Sequence, residues 1–198
     1  MTDSQEVLEL FDRIAALIPC AVPFDGVMLR SVGTRYANEG DFLSGRGAAK
    51  YGGRWNRAGI RAVYGSLDVM TATYEAYYNF VDYGFSLTSL RPRVLAGARA
   101  RLTIVLDLTD AAIRRKLGLT LRDLVEEDWQ GIQAGGEESW TQAIGRGARA
   151  AGFEALLVPS ARHRRGKNLV VFPDRLREGS FLKAVMPKDL PPCPSDWP

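Results

Sequence analysis

Histidine and cysteine are almost absent from this chain of 198 residues. His163 is the one histidine, so a serine–histidine pair, a cysteine–histidine pair or a metal site built from several histidines has no material. Cys20 and Cys193 stand near opposite ends, without the spacing of metal ligands or of a disulfide framework. We therefore expect no metal, a surface position for His163 and a reducing compartment.

Long apolar runs and the familiar nucleotide-binding motifs are also missing. No run approaches the roughly 20 apolar residues of a membrane-spanning helix. The opening segment MTDSQEVLEL carries acidic residues where a secretory signal carries basic ones. No stretch fits GxGxxG after a predicted strand, or GxxxxGK[ST]. We expect a cytoplasmic protein without membrane contacts, and any nucleotide site must be of another kind.

The composition is that of one ordinary globular domain, residues 1–198. Hydrophobic residues make up 46% of the chain and charged residues 25%, close to globular averages. This length suits a single continuous core. The 26 basic residues are nearly balanced by 23 acidic ones, so direct nucleic-acid binding is not expected from overall charge.

Hydrophobic periodicity and turn residues predict the order of helices and strands. The first half is predicted to contain a helix at 4–18 capped by Ser4, a strand at 27–32, a glycine-rich loop at 40–59, a strand at 60–64 and a helix from Ser66 or Asp68 to about Asp82. One bent strand or two short ones follow at 93–108, and then helices near 110–117, 120–128 and 138–151. The chain is predicted to finish with strands at 153–158, 169–172 and 181–185 and an irregular proline-rich tail at 187–198. The loop at 40–59 is long for a compact domain, and such loops tend to be functional.

The predicted helix that ends near Asp82 carries the acidic residue of most interest, Glu75. Its apolar face is predicted at Met70, Tyr74, Tyr77, Tyr78 and Val81. At about 100° per residue, Glu75 falls beside that face and not opposite it. A carboxylate in this position can point into a cleft and stabilise the cationic ribose that forms when nicotinamide leaves NAD. The alternative is an ordinary surface glutamate.

Residues before and after this helix suit the rest of a dinucleotide ligand. Arg30 on its strand and Arg54 within GGRWN offer planar guanidinium groups to pyrophosphate oxygens. Tyr64 offers a ring that can stack on nicotinamide and a hydroxyl for ribose. Ser160 and Asn168 flank a basic loop, where they can hold ligand hydroxyls. Each also has a structural interpretation as an ion-pair partner, a core aromatic or a turn residue.

The same residues, in the same order, resemble the RES-domain toxins, a family named for an arginine, a glutamate and a serine. The resemblance runs from about Val27 to Pro173. Its five pieces are LRS around Arg30, GGRWN with Arg54, AVYGS with Tyr64, TYEA with Glu75, and PSAR with Ser160 followed by Asn168. Position by position, the resemblance assigns these residues to the arginines, tyrosine, glutamate, serine and asparagine of the family's site.

The resemblance implies an α+β fold similar to ADP-ribosyltransferases of the diphtheria-toxin kind, with a split, mixed β core, surrounding helices and a cleft for NAD. It implies a toxin that cleaves the nicotinamide–ribose bond of NAD and passes ADP-ribose to a protein, phosphate or water. The implied partner is a helix-turn-helix (Xre-like) antitoxin. The implied catalytic residues are Glu75, Arg54 and Tyr64, and the implied NAD-binding residues are Arg30, Arg54, Tyr64, Ser160 and Asn168. The helix at 4–18 and the tail at 187–198 lie outside the resemblance and could contact the antitoxin.

A second class of function uses the basic loop alone. Its cationic side chains are Arg162, Arg164, Arg165 and Lys167. Such a patch can bind nucleic-acid phosphates or an acidic partner without any catalysis. The sequence has no recognisable nucleic-acid fold motif, which counts against this alternative.

Overall fold

The structure, a computed structural model, describes residues 4–82, 93–186 and 190. Its helices are α1 (Gln5–Ala15), α2 (Glu39–Phe42), α3 (Arg46–Tyr51), α4 (Val69–Asp82), α5 (Ala111–Leu117), α6 (Leu121–Val125), α7 (Trp129–Ala134) and α8 (Trp140–Ala151). Its strands are β1 (Val22–Gly33), β2 (Val63–Ser66), β3 (Arg93–Asp107), β4 (Ala155–Pro159), β5 (Lys167–Val171) and β6 (Phe181–Ala184). Short 3₁₀ helices occupy Ile18–Cys20, Thr34–Tyr36 and Pro173–Arg175. Across these described ranges, no helix has the length and apolar character needed to cross a membrane.

The six strands form one mixed sheet in the order β1-β2-β5-β4-β3-β6. β1 also pairs with β3, antiparallel from Gly33↔Arg93 to Val22↔Val105. The pairing that starts at β1 therefore passes through β2, β5, β4 and β3 and returns to β1. β3 and β4 run parallel, and the other paired strands run antiparallel. The predicted α+β class with a mixed β core is confirmed.

Alternation along the strands supplies two apolar clusters, because successive side chains of a strand point to opposite faces. In β4, Leu156 and Val158 belong to the first cluster, whereas Ala155 belongs to the second. In β5, Val170 belongs to the first and Leu169 to the second. Residues of α1, α5, α6 and α8 complete the first cluster, and residues of β1 and α2 contribute to the second. Both faces of β4 and β5 are thus covered.

The N-terminal helix forms as predicted and packs into the first cluster. Ser4 caps α1 by accepting a hydrogen bond from the backbone N–H of Val7, which satisfies one of the free amides at the helix start. Leu10 and Ile14 are buried against the sheet and α8. A Cβ at Gly147 of α8 would lie 2.7 Å from a ring carbon of Phe11, so the two helices approach closely because this position has no side chain.

The segment at 40–59 was predicted as a loop, and this prediction is wrong in part because the segment contains α2 and α3. Asn38 caps α2 through its side chain. Gly45 and Gly52, with φ of 66° and 75°, stand at the two ends of α3. The two glycines therefore begin and end a short helix at positions with positive φ, which glycine adopts readily, and do not mark a structureless connection.

Other elements also differ from the sequence prediction. The strand predicted at 60–64 is β2, which begins at Val63. α7 was not predicted, since its six residues include a glycine and show no clear periodicity. The strand predicted at 27–32 is β1, which begins earlier, at Val22. The other strands and the helices at 110–117, 120–128 and 138–151 occur close to their predicted positions. The tail predicted as irregular at 187–198 lies outside the described residues except for residue 190.

The apolar face predicted for α4 is not its buried face. Met70, Tyr74 and Tyr77 are exposed by 56%, 42% and 38%, whereas Ala72 and Ala76 are buried. The helix lies directly over β1 and β2, so small side chains fill the contact and the large ones turn outward. The side chains of residues 78–82 lie outside the described part, which leaves the predictions for Tyr78 and Val81 there.

A buried carboxylate, Glu154, connects β3 to the segment between β5 and β6. Its Oε2 accepts hydrogen bonds from the backbone N–H groups of Thr103 at 2.6 Å and Ile104 at 2.9 Å, and its Oε1 accepts one from Arg177 at 2.8 Å. Burial alone would raise the pKa of Glu154, but these hydrogen bonds outweigh it and hold the pKa below its usual value. The ionised form is therefore the one that stabilises the fold.

We expect Glu154→Gln to lower the free energy of unfolding at pH 7 by about 1 to 3 kcal/mol, because an amide cannot accept all of these bonds. A carboxylate with a lowered folded-state pKa stabilises the fold above its unfolded pKa, and this contribution is lost as pH falls through the folded pKa. The difference from wild type should therefore shrink below about pH 4. Urea unfolding at several pH values measures it, with exposed Glu178→Gln as the control. Equal stability of Glu154→Gln and wild type at pH 7 would contradict this account.

Candidate active site

Five of the six predicted site residues line one cavity of about 600 Å³. They are Arg30, Arg54, Tyr64, Glu75 and Asn168. Ser160, the sixth, is buried and donates a hydrogen bond to Glu75. The volume lies within the range of about 300 to 1,000 Å³ that small-molecule sites occupy. The structure therefore brings all six residues together around one cleft.

Glu75 is held at the centre of this site by two side chains from neighbouring strands. Its Oε1 accepts hydrogen bonds from Ser160 Oγ at 2.5 Å and from Asn168 Nδ2 at 2.7 Å. Asn168 is fixed in turn, since its Oδ1 accepts a hydrogen bond from Ser66 Oγ at 2.7 Å. Within the described residues, no hydrogen bond reaches Oε2 of Glu75. One carboxylate oxygen is thus fixed by the protein and the other is available to a ligand.

Strand pairing explains why these groups meet. Ser66 ends β2 and faces Asn168 of β5 in the antiparallel register. Asn168 also pairs with Val158 of β4, and Ser160 follows the end of that strand. α4 begins just after β2 and carries Glu75 back over the same strand ends. The close approach of residues far apart in sequence therefore depends on the register of three strands.

Two arginines of paired strands, Arg30 of β1 and Arg93 of β3, are oriented by backbone oxygens and a serine hydroxyl. Arg30 donates from Nε to the carbonyl of Phe42 at 2.9 Å and from Nη1 to the carbonyl of Tyr64 at 2.7 Å. Arg93 donates from Nε to Ser31 Oγ at 2.8 Å and from Nη2 to the Ser31 carbonyl at 2.7 Å. Burial, with a smaller contribution from Arg93, lowers the pKa of Arg30 to about 10. Both guanidinium groups stay charged at neutral pH and are fixed in place.

Arg54 also lines the cavity and is anchored to α6 and the residues that follow it. Its Nη1 donates to the carbonyl oxygens of Glu127 at 3.0 Å and Leu124 at 3.3 Å. Burial lowers its pKa, the charge of Glu127 opposes this, and the nearby charges of Arg162 and Glu75 act in opposite directions. The charge of Arg54 thus interacts with the charges of both Arg162 and Glu75.

The GGRWN turn that carries Arg54 is built around Tyr64 and Asn56. The Tyr64 hydroxyl accepts a hydrogen bond from Trp55 N at 3.0 Å and donates one to Asn56 Oδ1 at 2.7 Å. Burial raises the pKa of Tyr64, so its hydroxyl stays protonated. A Cβ at Gly53 would lie 2.7 Å from that hydroxyl, which explains the second glycine of the motif. Tyr64 lines the cavity, and its hydroxyl hydrogen is donated to Asn56 within the protein.

The basic loop is attached to α4 by His163, which sequence analysis placed on the surface. The structure half-buries it, with its ring stacked on Tyr74 at a centroid distance of 5.3 Å and its Nδ1 2.7 Å from Thr71 Oγ1. Thr71 donates its one hydroxyl hydrogen to Asp68 Oδ2 at 2.6 Å, so the hydrogen between the hydroxyl and the ring belongs to His163. Its backbone N–H donates to Ser160 Oγ at 3.0 Å. His163 therefore holds the loop in the position that brings Ser160 to Glu75.

Several residues that line the cleft were not predicted as site residues from the sequence. Arg93 reaches it because β3 pairs with β1, and no short motif marks that position. Trp129 and Gln130 belong to the unpredicted helix α7. Arg162 was noted as part of the basic loop, and the structure shows that it lines the cavity, whereas Arg164, Arg165 and Lys167 are exposed. Only Arg162 had a signal in the sequence, the cluster of positive charge in the basic loop.

Metal ligands were not expected at this site. Across residues 4–82 and 93–186, the structure shows no group of three or more histidine, cysteine, aspartate or glutamate side chains that could hold a metal ion. The polar groups around Glu75 are a serine, an asparagine and arginines. This set suits an anionic organic ligand with hydroxyl groups.

A mixed-sheet α+β fold with an arginine-lined cleft around one anchored glutamate defines the class of this protein. The sequence matches the RES domain over residues 27–191. The chain belongs to the RES-domain family, and the resemblance noted in its sequence is confirmed.

Known relatives and a solved structure agree with this assignment. A Mycobacterium tuberculosis protein named "Probable NAD(+) phosphorylase" is 37% identical over 122 residues, which cover 61% of this chain and 53% of that protein. NAD(+) phosphorylase MbcT of Mycobacterium bovis is 32% identical over 163 residues, 77% of this chain and 78% of MbcT. The chain thus spans about half of the first relative's length and over three quarters of the second's. The crystal structure of the M. tuberculosis MbcT–MbcA toxin–antitoxin complex matches with a TM-score of 0.67 at 26% identity, covering 93% of this chain and 94% of that one.

Proposed function

We propose that this chain is the toxin of a toxin–antitoxin pair and that it consumes NAD, with phosphate as the favoured acceptor of ADP-ribose. The observation that carries the proposal is the anchored carboxylate of Glu75 in a cleft lined by four arginines. A dinucleotide has two phosphates, ribose hydroxyls and a cationic nicotinamide ring, and this set of groups matches each of them. The names of the relatives that share 32% and 37% identity support the same substrate.

The central step is the loss of nicotinamide from ribose, which leaves positive charge on the anomeric carbon. Glu75 stabilises this charge with the oxygen that the protein leaves available, and Ser160 and Asn168 keep its carboxylate in place. Because the carboxylate is positioned before the substrate arrives, it does not have to reorganise as the charge develops. Glu75 is therefore the catalytic residue of this proposal.

The other residues bind and orient NAD. Arg30 and Arg54 donate to the pyrophosphate oxygens, and both guanidinium groups are already held by backbone carbonyls. The ring of Tyr64 packs against the nicotinamide end, while its hydroxyl keeps the GGRWN turn in shape. The amide nitrogen of Asn168 donates a hydrogen bond to Glu75, and its amide oxygen accepts one from Ser66. Its direct contribution to NAD binding is therefore smaller than its effect on the position of Glu75.

The same site can perform three reactions, which differ in the molecule that accepts ADP-ribose. Transfer to water gives ADP-ribose, transfer to phosphate gives ADP-ribose 1″-phosphate, and transfer to a protein gives a modified target. Phosphate is favoured because the relatives are named NAD(+) phosphorylases and because the cleft holds more cationic groups than a dinucleotide with two phosphates requires. Transfer to a protein target is the alternative within the same chemistry.

A binding module that uses the basic loop alone is the alternative from another class. Arg164, Arg165 and Lys167 are exposed and can contact phosphates of a nucleic acid. Arg162 lines the cleft with Glu75, so the loop is divided between the site and the surface. This division supports a catalytic site over a continuous basic patch.

An antitoxin partner follows from the same likeness. The structure matched over 93% of this chain is a toxin in complex with its antitoxin. We propose that a helix-turn-helix antitoxin covers the cleft and offers acidic or polar groups to its arginines. The cytoplasm, where such a pair would meet, is the proposed compartment.

Incubation of the purified chain with NAD, with and without inorganic phosphate, tests the proposed reaction. We expect nicotinamide and ADP-ribose 1″-phosphate when phosphate is present, and much slower loss of NAD without it. Chromatography with mass spectrometry identifies the products. The same mixture with cell extract and labelled NAD reveals transfer to a protein.

Each outcome assigns a different reaction. ADP-ribose formed at a rate independent of phosphate would replace phosphorolysis by hydrolysis, and label on a protein would replace it by protein modification. Unchanged NAD in every mixture would overturn the enzyme and favour the binding module. In that case, binding to nucleic acid should fall steeply as salt increases.

A further inference from the structure

Beside the main cavity lies a smaller one of about 180 Å³. The two share the side chains of Arg30, Tyr64, Glu75, Arg93 and Asn168. Arg54 and Arg162 line only the larger cavity, whereas Ser31 and Ser66 line only the smaller one. Glu75 therefore stands where a large and a small compartment of the same site meet.

The smaller cavity is lined by two arginines, Arg30 and Arg93, and by the carboxylate residue Glu75. Among the described residues, neither Arg30 nor Arg93 forms an ion pair. The two arginines are close enough that the charge of Arg93 lowers the pKa of Arg30. Like charges held together in this way repel, and an anion between them would relieve the repulsion.

Both groups also present unused donors. Arg30 is fixed through Nε and Nη1 and Arg93 through Nε and Nη2. This leaves Nη2 of Arg30 and Nη1 of Arg93 without a hydrogen bond to any residue in the described part of the chain. Rigid, forked donors of this kind match the oxygens of phosphate.

We propose that the smaller cavity binds the second substrate, inorganic phosphate, and that Arg93 is the residue that selects phosphate over water as the acceptor. This inference rests on the proposed consumption of NAD. A dinucleotide needs the larger compartment, since 180 Å³ lies below the range of about 300 to 1,000 Å³ for larger ligands. A single small anion suits the smaller one. Arg30 lines both, so it can hold NAD on one side and contact phosphate on the other.

The reaction balances with these two substrates. The bond between the anomeric carbon and the nicotinamide nitrogen breaks, and its electron pair neutralises the pyridinium charge of the leaving nicotinamide. An oxygen lone pair of hydrogen phosphate forms the new bond to the same carbon. The products are nicotinamide and ADP-ribose 1″-phosphate, and no oxidant or reductant is needed. Glu75, at the boundary of the compartments, faces the carbon at which one bond replaces the other.

Steady-state kinetics of Arg93→Gln test the assignment. We expect the KM for phosphate to rise by about 10- to 100-fold, the loss of a charge-assisted hydrogen bond, while the KM for NAD changes by less than about 3-fold. ADP-ribose should become a larger share of the product, because water then competes better. Arg93→Lys, which keeps the charge but not the fork, should lie between the two. Arg101→Gln on the same strand, whose arginine is exposed and pairs with Asp25, should behave as wild type.

Direct binding separates this inference from the proposed function. Phosphate alone is titrated into wild type and Arg93→Gln and followed by calorimetry, with thermal unfolding to show that each variant is folded. Weaker phosphate binding by the folded variant supports the site even if NAD were not consumed. An increase in the KM for NAD with an unchanged KM for phosphate would overturn it and assign Arg93 to the dinucleotide. Equal phosphate binding by wild type, Arg93→Gln and Arg93→Lys would overturn it as well.

Discussion

Glu75→Gln should lower the rate of NAD consumption by about 10²- to 10⁴-fold, the range expected when one positioned charged group is removed from the reaction centre. Glutamine has nearly the same shape, and its amide oxygen can still accept the hydrogen bonds from Ser160 and Asn168 that glutamate receives. The site should therefore keep its geometry and lose the negative charge that stabilises the ribosyl cation. The measurement is kcat for nicotinamide release, together with the KM for NAD, which should change only a few-fold.

The matched control for this variant is Glu126→Gln. Glu126 lies on the surface, with its side chain 60% exposed and paired with Arg122, and exposed pairs of this kind contribute little. This variant should keep the activity of wild type. Full NAD turnover by folded Glu75→Gln would remove Glu75 from the mechanism. Thermal unfolding of all three proteins shows whether a loss of activity reflects chemistry or folding.

The sequence predicted the elements whose signals are local. The cap of α1 at Ser4, the long strand β3 and the pair β4 and β5 around the basic loop have clear periodicity or capping residues, and each is present. Short helices inside the glycine-rich segment were missed because six residues or fewer show no period. Local sequence patterns therefore predict the long helices and strands better than the short helices that connect them.

The outward face of α4 shows a different kind of limit. Periodicity correctly placed a helix there but selected its large apolar residues as the buried ones, whereas Ala72 and Ala76 make the contact. Hydrophobicity alone cannot tell how closely a helix approaches a sheet. That distance depends on contacts between segments that are remote in sequence, here α4 with β1 and β2.

The residues of the candidate site also fall into two groups, those that motifs predict and those that they do not. Arg30, Arg54, Tyr64, Glu75, Ser160 and Asn168 stand in short ordered motifs, and the structure brings them together. Their roles in NAD chemistry stay predictions until the variants are measured. Arg93 could not be found from the sequence, because it enters the cleft only through the pairing of Gly33 with Arg93 between β1 and β3. A residue that reaches the site only through strand pairing is not marked by a motif in the sequence around it.

The position of Arg54 and Tyr64 depends on the contact between the GGRWN turn and α8. A Cβ at Gly145 of that helix would lie 1.8 Å from the carbonyl oxygen of Trp55 and 2.7 Å from its carbonyl carbon. The obstacle is backbone, which cannot rotate away as a flexible side chain can. Trp55 is itself buried in the first apolar cluster, so either the turn or the helix must move.

Gly145→Ala should therefore lower the free energy of unfolding by about 3 kcal/mol, the upper end of typical overpacking costs, and the melting temperature by roughly 6 to 12 °C. It should also reduce NAD consumption, since the turn that shifts contains Arg54 and contacts the Tyr64 hydroxyl. Gly47→Ala is the matched control, because Gly47 lies in helix α3 with nothing within 4 Å of its Cβ position. There the same change should raise stability by about 0.5 to 1 kcal/mol. If both variants melted at the wild-type temperature, the close packing of the turn against α8 would not be what holds this side of the site.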